Sequence, residues 1–252
     1  MAGQMLFCGS NQRDEADMRV LALIAILALA GCMTAVAPQA PPATATAKPG
    51  VAARLSAQKA AKQFVAVVNT VEPVAERECR RRSKGANCDF QIVVDDRKGQ
   101  PPNAYQTLDK SGRPVIAFTL ALIGEVRNAD ELAFVMGHET AHHIAGHIRR
   151  QRENAAAGAV IFAGLAVLTG ADASSVQSAQ EIGAAVGARS YSKEFELEAD
   201  SLGTIITKRA GYNPLRGAEF FTRIPDPGNR FLGTHPPNAQ RLETVRRVAS
   251  QI

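Results

Sequence analysis

The stretch His138-Glu139-Thr140-Ala141-His142 decides how the rest of the chain is interpreted. Two histidines four residues apart on an α-helix project from one face, about one turn from each other, so their ring nitrogens can bind the same metal ion. Glu139 lies roughly 100° around the helix from His138, beside the open coordination position, where a general base is needed. Because so short a motif also arises by chance, the interpretation depends on a third ligand elsewhere in the chain.

A second helix carries the candidates for that third ligand. It is predicted to begin with Ser192 as its N-cap and to end at about Ala210, before a glycine at position 211. A glutamate is a common third ligand beside two histidines, and three lie in the first turns: Glu194, Glu196 and Glu198. Negative charge is also favoured at a helix N-terminus by the helix dipole, which is how we interpret Glu194 and Glu198.

The phase of this helix selects Glu196 as the ligand. Glu196 and Asp200 are four residues apart and share a face with Gly203, whose lack of a side chain would let the helix approach the motif helix closely. Glu198 lies roughly 200° away from Glu196 and points elsewhere. Asp200 is therefore predicted to accept a hydrogen bond from the ring N–H of His138, as carboxylates do around zinc histidines.

An alternative would place the third ligand on the motif helix itself. The pattern His-Glu-x-x-His-x-x-Gly-x-x-His needs a glycine seven residues and a histidine ten residues after the first histidine. Here Gly146 comes one residue too late and His147 one too early, so His147 is excluded as the third ligand. His143 and His147 form a further pair four residues apart. A second metal site is the weaker explanation of this pair, and buried, hydrogen-bonded histidines are the favoured one.

Residues 1–31 are predicted to be an N-terminal extension and a signal peptide. Arg19 precedes an apolar run over 20–30 that is too short to span a bilayer, which takes ~20 residues. Leu-Ala-Gly then stands directly before Cys32, which resembles a bacterial lipoprotein signal and implies cleavage before Cys32 and a lipid on that cysteine. An ordinary secretory signal is the alternative, and Met18 is a second candidate start.

Residues 32–50 are predicted to be a tether, and residues 51–252 one folded domain. The tether is rich in Ala, Pro and Thr and cannot bury a core. A methionine at position 33, where aspartate would favour retention, resembles the outer-membrane sorting class of enteric-type bacteria. Cys79 and Cys88 are then left as an even pair in an exported chain, so a disulfide is favoured over two free thiols.

Composition restricts the class of protein. The 252 residues are 46% hydrophobic, which is enough for a sizeable core. The formal charge is +5, and the dense basic run is Arg80-Arg81-Arg82 with Lys84. It lacks the interleaved aromatic residues that nucleic-acid binding favours. The run is predicted to be a solvated helix end, with attraction to an anionic membrane surface as the weaker alternative.

Helices and a small sheet are predicted before the motif. A helix over 51–82 is expected in one bent piece or two, interrupted near Pro73. Strands are predicted over 90–94 and 115–120, the second as the edge strand that holds extended substrate beside the metal. The motif helix is predicted from a capping-box start at Asn128 to about His147.

Two segments after the motif are rich in small residues. The segment 155–171 has no charge and stands at the short limit for a membrane span. It is predicted to be a buried helix or a hairpin that leans on the membrane surface. The segment 173–188 is assigned to packing or gating.

Three motifs together resemble the HtpX-like and CAAX-prenyl-protease family of zinc metallopeptidases. They are the motif from His138 to His142, the run from Glu196 to Asp200 with Gly203, and Thr234-His235-Pro236-Pro237 followed by Arg241. The resemblance covers the chain from residue 51 onwards. It implies an α+β, predominantly α-helical, gluzincin-type domain with a small β-sheet beside the motif helix.

The resemblance also implies how the site works. It implies one zinc ion per chain on His138, His142 and Glu196, with Glu139 as the general base. It implies that His235 stabilises the oxyanion or gates the site, and that Arg241 supports the loop of His235. Two departures from the usual pattern lie outside this chemistry: Lys193 stands where arginine is common, and His143 where an apolar residue is usual.

Together with the lipoprotein signal, the resemblance indicates the periplasm-facing branch that is implicated in outer-membrane protein quality control. The sequence therefore predicts a lipid-anchored zinc metalloendopeptidase on the periplasmic face of the outer membrane. Its expected substrates are misfolded or unassembled envelope proteins, the outer-membrane assembly machinery is a further candidate partner, and no nucleic acid is expected. The alternative is a periplasmic chaperone or assembly factor with latent proteolysis. Glu139 favours the enzyme, because a pure binder has no need of a base.

Overall fold

A computed structural model describes residues 56–230, 233 and 235–252. The signal segment, the tether and Cys32 therefore lie outside the described residues. The helices are α1 (Ala57–Arg82), α2 (Leu120–Glu125), α3 (Ala129–Ile144), α4 (His147–Leu168), α5 (Ala173–Arg189), α6 (Ser192–Arg209), α7 (Pro214–Ala218) and α8 (Asn238–Ala249). The strands are β1 (Gln91–Asp95), β2 (Ala104–Leu108) and β3 (Pro114–Thr119), and a 3-10 helix spans Glu219–Thr222. The predicted fold class, α+β with helices predominant, is confirmed.

The first helix, α1, is one continuous element with Pro73 inside it, so the interruption expected there does not divide it. Ser56 caps its start by accepting a hydrogen bond from the backbone of Lys59. At its other end, Cys79 lies at bonding distance from Cys88, and their Cα atoms are 5.7 Å apart. This contact joins the end of α1 to the segment that leads into β1.

The sheet has the strand order β1-β3-β2, with β1 parallel and β2 antiparallel to β3. The strand predicted over 115–120 is found as β3, but Thr119 ends it and caps α2. Because β3 is the central strand, the prediction that it is the substrate-holding edge strand is wrong. No strand was predicted between residues 95 and 114, yet Ala104–Leu108 forms β2 and pairs with β3.

The motif helix α3 is buried along nearly its whole length. The predicted capping box is present: the side chain of Asn128 accepts from the backbone of Glu131, and Glu131 accepts from the backbone of Arg127. The helix ends at Ile144 and not at His147 as predicted. Gly146 adopts a left-handed conformation, with φ at 67°, and this breaks the helix so that α4 starts in a new direction.

The backbones of α6 and α3 lie close together where the two helices cross, as predicted from Gly203 on the face of α6. A Cβ on Gly203 would lie 2.9 Å from the backbone nitrogen of His138. The N-cap of α6 is Tyr191, with φ at 65°, rather than the predicted Ser192. Only two residues join α5 to α6, so the chain turns sharply through a left-handed residue there. Gly211, with φ at 84°, follows the end of α6 as predicted.

Helices α4 and α5 form a hairpin that packs mainly on itself. Gly158, Gly183 and Gly187 line its interface, where an added Cβ would meet backbone atoms of the facing helix 2.1–2.3 Å away. The expectation of a buried helix over 155–171 is wrong, because the apolar side chains of α4 stay exposed: Val160, Ile161, Leu165, Val167 and Leu168. None of the described helices has the length and apolar character needed to cross a membrane.

Candidate metal centre

Helices α3 and α6 bring three donor side chains together. Each of His138, His142 and Glu196 offers an atom within 4.8 Å of the others. The Nε2 atoms of His138 and His142 are 3.0 Å apart, and the Glu196 carboxylate oxygens lie 3.5 Å and 3.4 Å from them. Tetrahedral ligands at zinc bond lengths are roughly 3.3 Å apart, so the donor set and its spacing fit a zinc ion.

Asp200 lies behind His138 and is fully buried. Its Oδ1 atom accepts from Nδ1 of His138 at 2.9 Å, the contact expected from helix phase. Arg241 of α8 donates to both carboxylate oxygens of Asp200, at 2.8 Å from Nε and 2.7 Å from Nη2. Burial opposes ionisation, but Arg241 and His138 hold the pKa of Asp200 below its usual value. The carboxylate is therefore a charged, fixed acceptor.

The contacts of Arg241 differ from the role that the resemblance implied. Its guanidinium binds Asp200, reaches to 3.5 Å from Glu196 and stacks over the ring of Phe221 at 3.7 Å. Arg241 thus joins the carboxylates of α6 to α8, and its described contacts lie in the metal centre rather than on the loop of His235.

Glu139 stands beside the donor set, in a cleft of about 850 Å³ that also contains the three donors. Desolvation by burial raises the pKa of Glu139 above its usual value, against the influence of the two histidines. Strand β2 and the first turn of α4 form further parts of the cleft wall. The cleft is therefore bordered by a sheet edge, which suits an extended chain.

His235 lies beside the donor set and lines the same cleft. Its Nδ1 atom is 3.1 Å from Oε2 of Glu196, and its side chain is 53% exposed. Thr234, the first residue of its motif, lies outside the described residues. The loop before it is held by Lys193, which donates to Asn229 and to the backbone of Arg230.

Comparison with known proteins agrees with this arrangement. The family model described as "Peptidase family M48" matches residues 61–249. The chain belongs to peptidase family M48. Two curated relatives named "Beta-barrel assembly-enhancing protease" are each 30% identical. One, from Escherichia coli O157:H7, aligns over 147 residues, or 50% of this chain and 28% of the relative. The other, from Yersinia pestis, aligns over 154 residues, or 52% and 30%. The chain thus matches less than a third of the length of either relative.

Sequence reasoning missed a second set of contacts in this M48 domain. The Nδ1 atoms of His142 and His147 are 2.8 Å apart, and Nε2 of His147 is 3.1 Å from Oε2 of Glu198. Glu198 was assigned to the helix dipole, but it pairs with His147 and with Arg150. Burial lowers the pKa of His147 to about 4, so the ring is neutral at pH 7. The break at Gly146 produces this contact, and no helical periodicity signals it.

His143 faces away from the metal centre. Its Nε2 atom lies 2.7 Å from the carbonyl oxygen of Asn87, and its ring contacts Phe90 edge-on. Within residues 56–230, 233 and 235–252, His138, His142 and Glu196 make up the one group of three or more metal-donor side chains. His147 is buried and hydrogen-bonded, as favoured from the sequence, whereas His143 is hydrogen-bonded but only partly buried.

Proposed function

We propose that this M48 domain is a zinc-dependent endopeptidase that cleaves misfolded or unassembled envelope proteins. The observation that carries the proposal is the donor set of His138, His142 and Glu196 with Glu139 beside it in an open cleft. Two neutral imidazoles and one carboxylate are a common ligand set of catalytic zinc, which leaves one coordination position for water or substrate. A single zinc ion per chain is expected.

Zinc, when bound, supplies a Lewis acid that acidifies a water molecule and polarises the scissile carbonyl. His138, His142 and Glu196 would hold it, while Asp200 keeps the His138 ring oriented from behind. Glu139 takes the proton of the attacking water and delivers it to the leaving amine. Its partial burial supports this role, because a raised pKa brings a carboxylate closer to the pH at which it must exchange protons.

Strand β2 is the edge that we propose holds the substrate. The backbone of Asn103 pairs with Thr119 of β3. By the alternation of antiparallel pairing, the backbone groups of Ala104 and Gln106 then face the other edge. Asn103, Ala104, Tyr105 and Gln106 line the same cleft as Glu139. An extended peptide can add to this edge as a further strand, which would present its backbone to the metal centre.

The envelope location and the class of substrate rest on two supports. Relatives in enteric bacteria are named for enhancing β-barrel assembly, which suggests outer-membrane proteins and their assembly machinery as partners. The lipoprotein-like sequence before Cys32 suggests a lipid anchor, with the protein on the periplasmic face of the outer membrane. A Cys32→Ser variant should move from the membrane fraction to the soluble fraction, and unchanged fractionation would argue against the anchor.

His235 supports one further role for the site. Its Nδ1 atom lies 3.1 Å from Oε2 of Glu196, and its half-exposed ring lines the same cleft as Glu139. We infer that it donates to the developing oxyanion when substrate is bound and restricts access when it is not. The same contact favours the second candidate function, an assembly factor for outer-membrane proteins whose proteolysis is latent.

Zinc content and casein cleavage in three proteins separate these functions: wild type, Glu139→Gln and His235→Ala. The endopeptidase predicts cleavage by wild type and its loss in Glu139→Gln. Cleavage that rises in His235→Ala would identify restriction of access, and cleavage that falls would identify oxyanion stabilisation. Zinc-loaded protein without cleavage in any of the three would favour the assembly factor.

A further inference from the structure

We propose that His147 and Glu198 are positioning residues for the metal ligand His142. Together they form a chain of hydrogen bonds, called the relay below, that orients the ring of His142 and fixes its tautomer. The inference rests on the zinc site of the proposed function. It assigns to the second histidine ligand an outer support, meaning a hydrogen-bonded group beyond the metal ligands. Nδ1 of His142 meets His147, whereas Nδ1 of His138 meets Asp200 directly.

The chain of contacts runs from the metal centre to the surface in three steps. Nδ1 of His142 lies 2.8 Å from Nδ1 of His147. Nε2 of His147 then lies 3.1 Å from Oε2 of Glu198. The same carboxylate oxygen accepts from Nη1 of Arg150 at 2.7 Å. Each step has the length of an ordinary hydrogen bond.

Once His142 uses Nε2 to bind the metal, one assignment of protons satisfies every atom in this chain. Nδ1 of His142 then carries hydrogen and donates to Nδ1 of His147. His147 therefore carries its own hydrogen on Nε2 and donates it to Glu198. A carboxylate at the end of the chain is the acceptor that this assignment requires, as in carboxylate–histidine–zinc arrangements.

The surroundings hold His147 in the orientation that this relay needs. The ring of Phe195 stacks on His147 at 4.5 Å between centroids and 10° between planes, and the guanidinium of Arg150 lies 4.3 Å from the centroid of Phe195. His147 is 4% exposed. The left-handed Gly146 turns the chain back, so that a residue five positions after His142 meets its ring.

The two histidine ligands thus have matching outer supports. His138 donates directly to Asp200, which is held by Arg241. His142 reaches Glu198 through His147, and Glu198 is held by Arg150. Both carboxylates come from α6, two residues apart, so the helix that supplies the third ligand also supplies the acceptors for the other two.

Competition of the full-length protein with a chromophoric zinc chelator measures the relay directly. Glu198→Ala should raise the zinc dissociation constant by about 10–100-fold, the usual cost of losing an outer-shell partner. Glu194→Ala is the matched control, because it removes an exposed glutamate from the same helix and should leave the constant unchanged. Glu198 is about half exposed, so its replacement is compatible with folding.

A double-mutant cycle separates positioning from packing. If Glu198 acts through His147, adding Glu198→Ala to His147→Phe should weaken zinc binding no further than His147→Phe alone. The visible spectrum of the cobalt-substituted protein should shift in Glu198→Ala but not in Glu194→Ala. An unchanged zinc constant in Glu198→Ala would overturn the relay while leaving the zinc site intact. Failure of the wild type to bind zinc would overturn the proposed function, and the relay with it.

Discussion

At the scale of single residues, the metal centre depends on buried charged side chains that are held by hydrogen-bond partners. Asp200 is fully buried between the ring of His138 and the guanidinium of Arg241. A buried carboxylate is tolerated only when its oxygens are occupied by donors, and here both are. The pairing fixes the ring of His138 with Nδ1 toward the protein, which leaves Nε2 for the donor set.

Asp200→Asn should weaken zinc binding because it leaves Arg241 without its charged partner and His138 with a weaker acceptor. We expect a zinc dissociation constant about 10–100-fold higher, measured by chelator competition. Asp96→Asn, an exposed site outside the cleft, is the control. Equal zinc affinity in Asp200→Asn and wild type would show that the acceptor does not support the ligand.

Helix phase was sufficient to select Glu196 and Asp200, because both side chains and the face they share belong to one helix. It could not assign Glu198, whose partner His147 lies 51 residues away in sequence. That contact depends on a backbone break at Gly146, and a single left-handed residue leaves no periodic signal. The position of His235 came from family resemblance, since no local pattern links a loop histidine to a distant helix.

At the scale of elements, the close crossing of α3 and α6 sets the spacing of the donors. A Cβ on Gly203 would meet the backbone of His138, and one on Gly137 would lie 2.9 Å from the carbonyl oxygen of Gly203. Neither contact can be relieved by moving a side chain, because the atoms met are backbone. The helices must separate to admit even a methyl group, and the ligands would separate with them.

Gly203→Ala should therefore cost about 1–3 kcal/mol of folding stability, the range for overpacking in a core. It should also weaken zinc binding. Gly164→Ala in α4 is the control, because a Cβ there meets nothing within 4 Å and alanine favours the helix. Thermal melts with chelator competition measure both effects. A Gly203→Ala protein with wild-type stability and affinity would contradict the role of the crossing.

Some secondary-structure elements could be predicted from the sequence and others were missed, for physical reasons. The long helices follow from apolar periodicity and caps, as with Asn128 and Gly211. Strand β2 was missed because it is short and lacks the valine and isoleucine residues that mark β1 and β3 as strands. The segment 155–171 was expected to be buried in one of two interpretations, since its apolar composition is that of a core. Composition alone does not show that this segment packs mainly against α5.

At the scale of the whole molecule, Glu78 connects α1 to α6, the helix that carries Glu196. Its buried carboxylate pairs with Arg81 and Arg82 on α1 and with Arg209 at the end of α6. Burial alone would raise the pKa of Glu78, but the hydrogen bonds of these arginines hold it below the usual value. The pairing therefore contributes stability above the unfolded-state pKa, and this is lost as pH falls through the folded-state pKa.

Glu78→Gln should lower the melting temperature most near neutral pH, where the wild-type carboxylate is charged. As pH falls below the unfolded-state pKa of about 4.3, this difference should shrink, and it is lost once pH is below the lowered folded-state pKa. Thermal melts of both proteins between about pH 7 and about pH 3 test this. A difference that stays constant over that range would mean that the charge of Glu78 is not what stabilises the contact.

The proposed peptidase activity depends on Glu139 acting as the base beside a zinc ion that it does not bind. The direct measurement is the rate of casein cleavage by Glu139→Gln, made on protein whose zinc content has been determined. We predict one zinc ion per chain and a cleavage rate lowered by about 10²–10⁴-fold, the usual contribution of a general base. Cleavage at the wild-type rate by the zinc-loaded variant would contradict the assignment of the base, and with it the proposed mechanism.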